Sequence, residues 1–455
     1  MVASRTRPPD GNLHARLAQA LHEAGVERGA RLTLAFSGGL DSRVLLELLA
    51  DVAPGLGLQL DAAHVHHGLS AHAEDWVRLC EAACAGRGLP LRVFRVQVPQ
   101  QNPLGLEAAA RQLRHAALDS VVTDWLVFAH HQDDQAETLL FRLLRGSGVR
   151  GAAAMRARVP AHAGRPGRLR PLLNVRRAEL EAFARAAGLR WVEDESNADT
   201  RFARNFLRHR IMPELQVLAP AAVPALARAA GQFAQADELL EDLAQLDLAQ
   251  CGGLPMRHPE LLALSDARLL NLLRSLIREL GELPPARARL LEAVRQLREA
   301  PGPLCCALGA CTLLVYRDRV WLESARPATL PVPRSWCGER ALPWSGAEVC
   351  FEPVNGAGLD AARLAGAGAC RLVPRWPGLK MRMAPEGPRR SFKNLCQEAG
   401  IPAFLRERLP VLVVDGEPVW IAGIGCAPAW RCTSGQPGVQ PRWDVVGANF
   451  SAEGV

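Results

Sequence analysis

The stretch 37–42 constrains the fold of this chain more than any other part of the sequence. Its residues read Ser-Gly-Gly-Leu-Asp-Ser, and they separate an apolar run of strand length, 31–36, from an apolar helical run, 43–49. Glycines let the backbone approach an anion closely, and the N-terminus of the following helix points free N–H groups at the same spot. The sequence therefore predicts a phosphate-binding turn between a strand and a helix.

This turn is not a Walker A loop, because no Lys-Ser/Thr pair follows the glycines. Asp41 lies where the helix begins and would repel a phosphate unless a cation lay between them, which indicates Mg²⁺. The hexapeptide resembles the signature of the PP-loop ATP pyrophosphatases, which split ATP between the α- and β-phosphates and adenylate a substrate. The resemblance implies ATP as a substrate, accompanied by Mg²⁺.

Strand-like and helix-like runs alternate strictly through the first part of the chain. This alternation predicts an α/β fold with a doubly wound parallel sheet, Rossmann-like, in which the ligand lies at the carboxyl ends of the strands. Residues 150–170 are rich in Ala, Gly, Arg and Pro and are expected to form a mobile loop. The predicted strands are 31–36, 58–65, 91–98, 125–129 and 189–192, and the predicted helices include 13–26, 70–86, 106–122, 134–145, 175–187 and 201–210.

A chain of 455 residues is long enough for two to three domains. Leu/Ala periodicity over 222–300 predicts helices. Residues 305–322 are expected to form a β-hairpin. The remainder, which is rich in Gly, Pro and Trp, is expected to be β-rich with one helix near 391–399. We therefore expect a PP-loop catalytic domain, a mainly helical middle domain and a small α+β C-terminal domain. Their predicted bounds are 1–215, 216–328 and 334–455.

The stretch 130–138 reads His-His-Gln-Asp-Asp-Gln-Ala-Glu-Thr and opens a helix after the fourth predicted strand. Asp133, Asp134 and Glu137 lie on or near one face of that helix. Three acids beside two histidines favour a Mg²⁺ site, a pocket for a cationic substrate or a general base. A zinc hydrolase is the competing interpretation, but it leaves the phosphate turn unexplained.

Two other runs each allow two interpretations. The histidines of 64–68 either bind a metal or line the nucleotide pocket at a strand end, and the second interpretation is favoured. Glu107 and Arg111, four residues apart, form either a helix salt bridge or a device that directs an arginine at the ATP phosphates.

The net charge of +7 is concentrated in two segments, because residues 142–210 carry +10 and residues 371–408 carry +6. Two separate basic segments are typical of contact with a long polyanion at two places, with solvated helix faces as the alternative. The N-terminus is polar, no apolar run is long enough to span a bilayer, and the twelve cysteines include no Cys-x-x-Cys pair. We expect a cytoplasmic protein with reduced cysteines and no membrane partner.

Taken together, these motifs resemble the tRNA(Ile)-lysidine synthase family over most of the chain, and most weakly in 216–330. In the family the C-terminal helix tends to be richer in lysine, whereas here Lys393 stands alone between Phe392 and Asn394. The resemblance rests on the runs 37–42, 64–69, 107–114, 130–138, 143–146, 170–173, 194–208, 391–398, Pro402 and 406–410.

The resemblance implies a ligase that forms a C–N bond on tRNA, with tRNA contacted by the middle domain and bound by the C-terminal domain. ATP adenylates the C2 carbonyl oxygen of the wobble cytidine in the CAU anticodon of tRNA(Ile), free L-lysine attacks C2 through its ε-amine, and AMP leaves. The product, lysidine, changes the codon read from AUG to AUA and the tRNA identity from Met to Ile. A homodimer is compatible with the sequence, which does not fix the oligomeric state.

The resemblance also assigns expected site residues. The nucleotide-binding residues are Ser37, Gly38, Gly39, Leu40, Asp41, Ser42 and His64. The catalytic residues are Asp41, Arg111, Asp133, Asp134 and Glu137; Asp41, Asp133 and Asp134 hold Mg²⁺, and Asp134 and Glu137 bind lysine. The tRNA-binding residues are Arg145, Arg201, Arg204, Arg208, Arg389, Arg390, Lys393 and Arg406.

Three other functions remain open at this point. A tRNA thiolase would be expected to carry Cys-x-x-Cys pairs, and an amidotransferase-type synthetase a glutaminase; the sequence shows neither. A non-enzymatic RNA-binding protein with a vestigial nucleotide fold would bind RNA without releasing AMP from ATP.

Overall fold

The computed structural model describes residues 11–68, 70, 72–99, 106–162, 164–195, 199–299, 302–324, 331–445 and 448–450. The chain forms two compact units, Met1–Glu238 and Leu239–Val455. In the described part of the chain no single helix is long and apolar enough to cross a membrane; the pair Ala203–Leu218 and Ala222–Gln250, bent by 101°, meets that test only when taken together.

A six-stranded sheet organises the first unit. Its strands are β1 Arg31–Ala35, β2 Gln59–His66, β3 Leu91–Arg95, β4 Trp125–Val127, β5 Arg158–Val159 and β6 Gly167–Leu169. The spatial order is β3-β2-β1-β4-β6-β5, and all neighbours run parallel except β5, which is antiparallel to β6. The predicted α/β fold is confirmed, with an antiparallel strand at one edge.

Helices cover both faces of this sheet. The helices that begin in the first unit are α1 Gly11–Glu23, α2 Leu40–Leu56, α3 Ala73–Ala85, α4 Leu106–Asp119, α5 Gln132–Leu144, α6 Val149–Ala152, α7 Arg177–Ala186, α8 Ala203–Phe206, α9 Met212–Leu218 and α10 Ala222–Gln250. Leu32 and Leu34 of β1 are fully buried in a core shared with α1, α2 and α7. Leu126 and Phe128 belong to a separate core with Leu118 of α4. A core on each face is what double winding requires.

The segment predicted as a mobile loop, 150–170, instead contributes to the sheet. It contains most of α6 and all of β5 and β6, and β6 pairs with β4 in parallel. The loop prediction was wrong because Leu169 is buried in the main core and Gly167 packs closely against the Trp125 ring, contacts that composition does not reveal.

Two further elements differ from the prediction. The expected strand at 189–192 forms only one bridge, between Val192 and Gly39 of the phosphate turn. The expected helix 201–210 is α8 followed by a π-helical turn, Leu207–Ile211. Such a turn widens the helix locally and is frequent at functional sites.

The second unit holds two separate cores. One is built by α11 His258–Ala263, α12 Asp266–Glu279 and α13 Arg287–Glu299 against β7 Met256–Arg257, β8 Leu304–Leu308, β9 Cys311–Tyr316 and β10 Arg319–Ser324. The predicted hairpin is therefore part of a four-stranded sheet of order β7-β10-β9-β8, in an otherwise helical segment.

The other core lies among short antiparallel sheets near the C-terminus. This part has three short helices instead of the one expected, α14 Ala361–Ala365, α15 Phe392–Glu398 and α16 Ala403–Arg406. Its strands are β11 Arg334–Ser335, β12 Ala341–Trp344, β13 Ala347–Asn355, β14 Leu359–Asp360, β15 Cys370–Val373, β16 Lys380–Arg382, β17 Arg389–Ser391, β18 Val411–Val414, β19 Glu417–Ile421, β20 Gly425–Cys426, β21 Pro437–Val445 and β22 Ala448–Phe450. The division into three domains stays a prediction.

Candidate active site

The phosphate turn connects β1 to α2 at the carboxyl end of the central strand. Gly38 has a φ of +83°, and an added Cβ would lie 2.9 Å from Cys80 Sγ and 3.1 Å from Val192 Cγ2. Ser42 Oγ donates to the Gly39 carbonyl at 3.0 Å and lies 3.0 Å from Ser37 Oγ. The serines thus brace a turn whose shape only glycine tolerates, next to the free N–H groups of α2.

His64 supports this turn from the neighbouring strand. It is buried in β2, and its Nδ1 lies 2.8 Å from the carbonyl oxygen of Phe36 and 3.6 Å from Cys80 Sγ. Burial lowers the pKa of His64 despite the bond to that carbonyl, and nearby His66 and His67 act in the same direction. A neutral His64 that holds Phe36 fits the interpretation as part of the pocket wall.

His131 joins the turn to the acidic stretch. It is buried at the N-terminus of α5, with Nε2 3.6 Å from Asp41 Oδ2 and 3.4 Å from Asp134 Oδ2. Burial lowers its pKa, but the hydrogen bond to Asp41 and the charges of Asp134, Asp41 and Asp133 outweigh this, so the pKa is raised overall. His131 thus lies between the carboxylates of two different elements, Asp41 of α2 and Asp134 of α5.

Asp134 and Glu137 form a buried acidic pair that two arginines neutralise. Asp134 Oδ1 accepts from Nη2 of both Arg204 and Arg208 at 2.9 Å. Glu137 accepts from Arg204 Nε at 3.2 Å and from Arg208 Nε at 2.7 Å. The carboxylate side chains are 10% and 3% exposed, so the pair is largely desolvated. Arg204 and Arg208, which were expected to face tRNA, instead point at the acids.

The charges around Asp134 dominate its protonation. Burial alone would raise its pKa, but His131, Arg204, His130 and Arg208 lower it to about 2. Asp134 is therefore ionised at any physiological pH.

Asp133 is engaged differently from its neighbours. It accepts from the Arg177 backbone N–H at 2.9 Å and from Nε and Nη2 of Arg176 at 3.3 Å. It thereby ties α5 to the start of α7. Its predicted part in a Mg²⁺ site stays a prediction, because its oxygens already have protein partners.

Asp41 best fits the role of a magnesium ligand. Its Oδ1 is buried without a hydrogen-bond partner among the described residues, in the first turn of α2 beside the phosphate turn. Magnesium bound with a nucleotide commonly takes one or two carboxylates and completes its shell with phosphate oxygens and water. In the described ranges no group of three or more His, Cys, Asp or Glu side chains could hold a metal by itself. None of the twelve cysteines, each within those ranges, is in a disulfide.

The remaining predicted residues lie at several places. Arg111 is on α4, whose Leu118 packs on the sheet face that holds Leu126 and Phe128, here called the α4 face. The side chain of Glu107 lies outside the described residues. Arg145 caps α5 with its Cζ 5.2 Å from the Phe141 ring centroid, and Arg201 pairs with Asp199. In the second unit, Arg389 pairs with Glu417, Arg390 with Glu398, Arg406 donates to the Ile401 carbonyl, and Lys393 is exposed.

The sequence does not predict the contact of His131 with Asp41 or that of Arg176 with Asp133. The sequence shows two adjacent histidines, 130 and 131, at a strand end, but their spacing does not indicate which of them contacts Asp41. Arg176 lies 43 residues beyond Asp133, and only the fold brings the two together.

Comparisons with known proteins agree with this arrangement. Residues 9–215 match the family model of the PP-loop domain, 258–321 that of the TilS substrate binding domain, and 370–443 that of the TilS substrate C-terminal domain. The tRNA(Ile)-lysidine synthase of Aromatoleum aromaticum is 58% identical over 92% of this chain and 99% of its own length. That of Azoarcus sp. is 52% identical over 94% of both chains.

The chain belongs to the tRNA(Ile)-lysidine synthase family. Its members are ligases that form lysidine in tRNA, so tRNA(Ile) is the partner of this chain, and its PP-loop domain indicates the use of ATP. A solved structure, the U34-tRNA thiolase NcsA from Methanococcus maripaludis, is also similar, with a TM-score of 0.42 and 17% identity over 48% of this chain and 76% of that one. Family membership sets aside the zinc hydrolase, the thiolase and the non-enzymatic interpretations.

Replacing Gly38 by Ala should destabilise the protein. The backbone at this position is left-handed, which alanine disfavours, and the new Cβ would contact Cys80 and Val192. We therefore expect the free energy of unfolding to fall by about 1–3 kcal/mol. Gly39→Ala is the matched control, because its Cβ would lie 3.5 Å from Ser37 Oγ at a negative φ. Urea denaturation measures both, and equal stability of the two variants would contradict the assigned strain.

Asp134 should make stability depend on acid pH. Its folded pKa of about 2 lies below its ordinary value, so its contribution is present above about pH 4 and is lost as the pH falls toward 2. The contribution amounts to about 2 kcal/mol. We expect Asp134→Asn to show a smaller loss of unfolding free energy between pH 5 and pH 2 than the wild type. Identical acid slopes in urea titrations would show that Asp134 is not held ionised by its neighbours.

Proposed function

We propose that this protein adenylates the wobble cytidine of tRNA(Ile) at the phosphate turn and joins L-lysine to it at the Asp134–Glu137 pair. The observation that carries the proposal is the contact of His131 with both Asp41 and Asp134. This contact supports the proposal, because a two-step transfer needs the phosphate turn and the acidic pair close together.

The first step uses the turn and its neighbours. Backbone N–H groups of the turn, with Ser37 and Ser42, bind the pyrophosphate portion of ATP. Asp41 would hold Mg²⁺, which supplies charge neutralisation for the phosphates when bound. Arg111 is assigned the role of stabilising charge on the α-phosphate. The C2 oxygen of cytidine forms a bond to the α-phosphorus, and the bond to pyrophosphate breaks.

The second step uses the acidic pair. Lysine carries two ammonium groups, which suit the buried carboxylates of Asp134 and Glu137. A carboxylate there accepts the proton that the ε-ammonium loses before its nitrogen attacks C2. The bond between C2 and the activated oxygen then breaks, and AMP leaves with that oxygen.

Arg204 and Arg208 hold Asp134 Oδ1 and both carboxylate oxygens of Glu137, so lysine must displace these bonds to bind there. The side chains of Arg204 and Arg208 are 37% and 22% exposed, so solvent reaches part of each. We propose that phosphates of the anticodon stem-loop draw these arginines outward when tRNA binds. Pairing with the acids, which the structure shows, and contacting tRNA, which the sequence predicts, then belong to successive states of one site.

The C-terminal basic residues would hold a second part of the tRNA. β16 and β17 pair Arg382 with Arg389 and Met381 with Arg390, which places several cations on one two-stranded ribbon. With Lys393 exposed at the start of α15, this ribbon is the proposed contact for the acceptor end. A cytoplasmic location and a homodimer remain part of the proposal, as does the three-domain division.

Replacing Asp41 by Ala should abolish lysidine formation. Purified protein is mixed with Mg-ATP, labelled L-lysine and a tRNA(Ile) transcript with a CAU anticodon, and label in the wobble base is measured. We expect incorporation by the wild type and at least a 100-fold lower rate in Asp41→Ala, with tRNA affinity within about twofold.

Asp51→Ala is the matched control. Asp51 also lies on α2, but it pairs with Arg87 and His14 at the surface, so its loss should leave the rate unchanged. Absence of incorporation by the folded wild type, beside a competent synthase of the same family, would refute the proposal.

A further inference from the structure

Arg170 lies at the carboxyl end of β6, at the edge of the sheet where the proposed site lies. The Phe128 N–H donates to the Leu169 carbonyl at 2.9 Å, so Arg170 follows the strand beside the end of β4. Its Cζ is 5.6 Å from the Phe128 ring centroid, and Phe128 in turn stacks on His130. Arg170 therefore shares the α4 face of the sheet with His130 and Arg111. Neither of the two proposed catalytic steps uses Arg170.

Arg142 of α5 reaches the same place. Its Nη1 donates to the carbonyls of Gly151 at 3.0 Å and Ala154 at 2.6 Å, while Arg170 Nη1 donates to the carbonyl of Arg156 at 2.7 Å. Carbonyls of one short segment, 151–156, thus hold both guanidinium groups. The two side chains are fixed in position without using most of their N–H donors.

Neither arginine has a carboxylate partner among the described residues, although both are half-buried. Arg170 Nε is buried and has no acceptor there. The charged groups that act most strongly on Arg170 are Arg168, Arg111 and Arg142; burial and these cations lower its pKa to about 10. Positive charge is therefore concentrated here without compensation, which is costly unless an anion binds.

Other arginines of this unit are neutralised. Arg168, two residues earlier in β6, forms two hydrogen bonds with Asp119 at 2.7 and 2.9 Å. Arg176 is paired with Asp133, and Arg156 with the buried Asp237. The missing carboxylate is thus a local property of Arg142 and Arg170 and not a general consequence of the arginine-rich composition.

We propose that Arg170 and Arg142 form a second phosphate-binding site, beside Arg111, on the α4 face of the sheet. Half-buried guanidinium groups with unused N–H donors suit the oxygens of a phosphate, which they bind through charge-assisted hydrogen bonds. The phosphate belongs either to ATP or to the tRNA backbone near the wobble base. The inference rests on the proposed function for these two ligands, but binding can be measured without turnover.

The test compares Arg170→Gln, Arg170→Lys and the control Arg168→Gln. Dissociation constants are measured for Mg-ATP by calorimetry and for a CAU-anticodon tRNA(Ile) transcript at several salt concentrations. We expect Arg170→Gln to weaken one of these ligands at least tenfold, Arg170→Lys to restore most of the affinity, and Arg168→Gln to change neither. Loss confined to ATP assigns an ATP phosphate; loss confined to tRNA, with a shallower salt dependence, assigns a phosphodiester.

The melting temperature of the ligand-free protein separates binding from a structural role. Because Arg170→Gln removes an uncompensated charge, we expect that temperature to stay the same or rise. Unchanged affinity for both ligands, or a lower melting temperature together with lost affinity, would overturn the site. A wild type that binds both ligands but forms no lysidine would refute the proposed function and leave this site standing.

Discussion

Asp134 and Glu137 lie buried in the first two turns of α5, and burying two carboxylates so close together is costly unless cations lie against them. Arg204 and Arg208 supply those cations through five hydrogen bonds, one of them shorter than 2.8 Å. This requirement fixes α8 and the π-helical turn against α5. Because His131 bridges Asp134 and Asp41, the same network also fixes α5 against the phosphate turn.

The site consequently divides into two chemically distinct halves. The turn with Asp41 is rich in donors and offers one orphaned carboxylate oxygen, which suits a magnesium nucleotide. The acidic half is rich in carboxylates that already hold guanidinium cations, which suits exchange for the ammonium groups of lysine. An RNA phosphate that attracts the arginines would favour this exchange. Binding of tRNA and access of lysine would then be linked by charge alone.

Local sequence patterns predict part of the fold and of the candidate site. The strand–turn–helix pattern predicts the turn that holds Gly38 and Asp41, and helical spacing predicts that Asp134 and Glu137 lie on one face. Both predictions are possible because each pattern lies within a short stretch of the chain. Partners distant in sequence could not be predicted in this way. Arg176 meets Asp133 only because the fold brings the start of α7 to the N-terminus of α5, and β6 joins the sheet where Gly167 packs closely against Trp125.

The basic segment 201–210 shows a further limit. The sequence shows that this segment is basic. It does not show that Arg204 and Arg208 point inward, since helical spacing allows either face of the helix to be buried. The direction depends on the acids of α5, which are about 70 residues earlier in the chain.

The central claim is that activation and lysine transfer use different halves of one site, and Glu137→Gln tests it most directly. The variant is incubated with tRNA(Ile), lysine and ATP labelled at the α-phosphate, and adenylated tRNA and lysidine are quantified together. We expect labelled adenylated tRNA to accumulate while lysidine formation falls at least 100-fold. Loss of adenylation in a folded variant, or lysidine formation at the wild-type rate, would contradict this division.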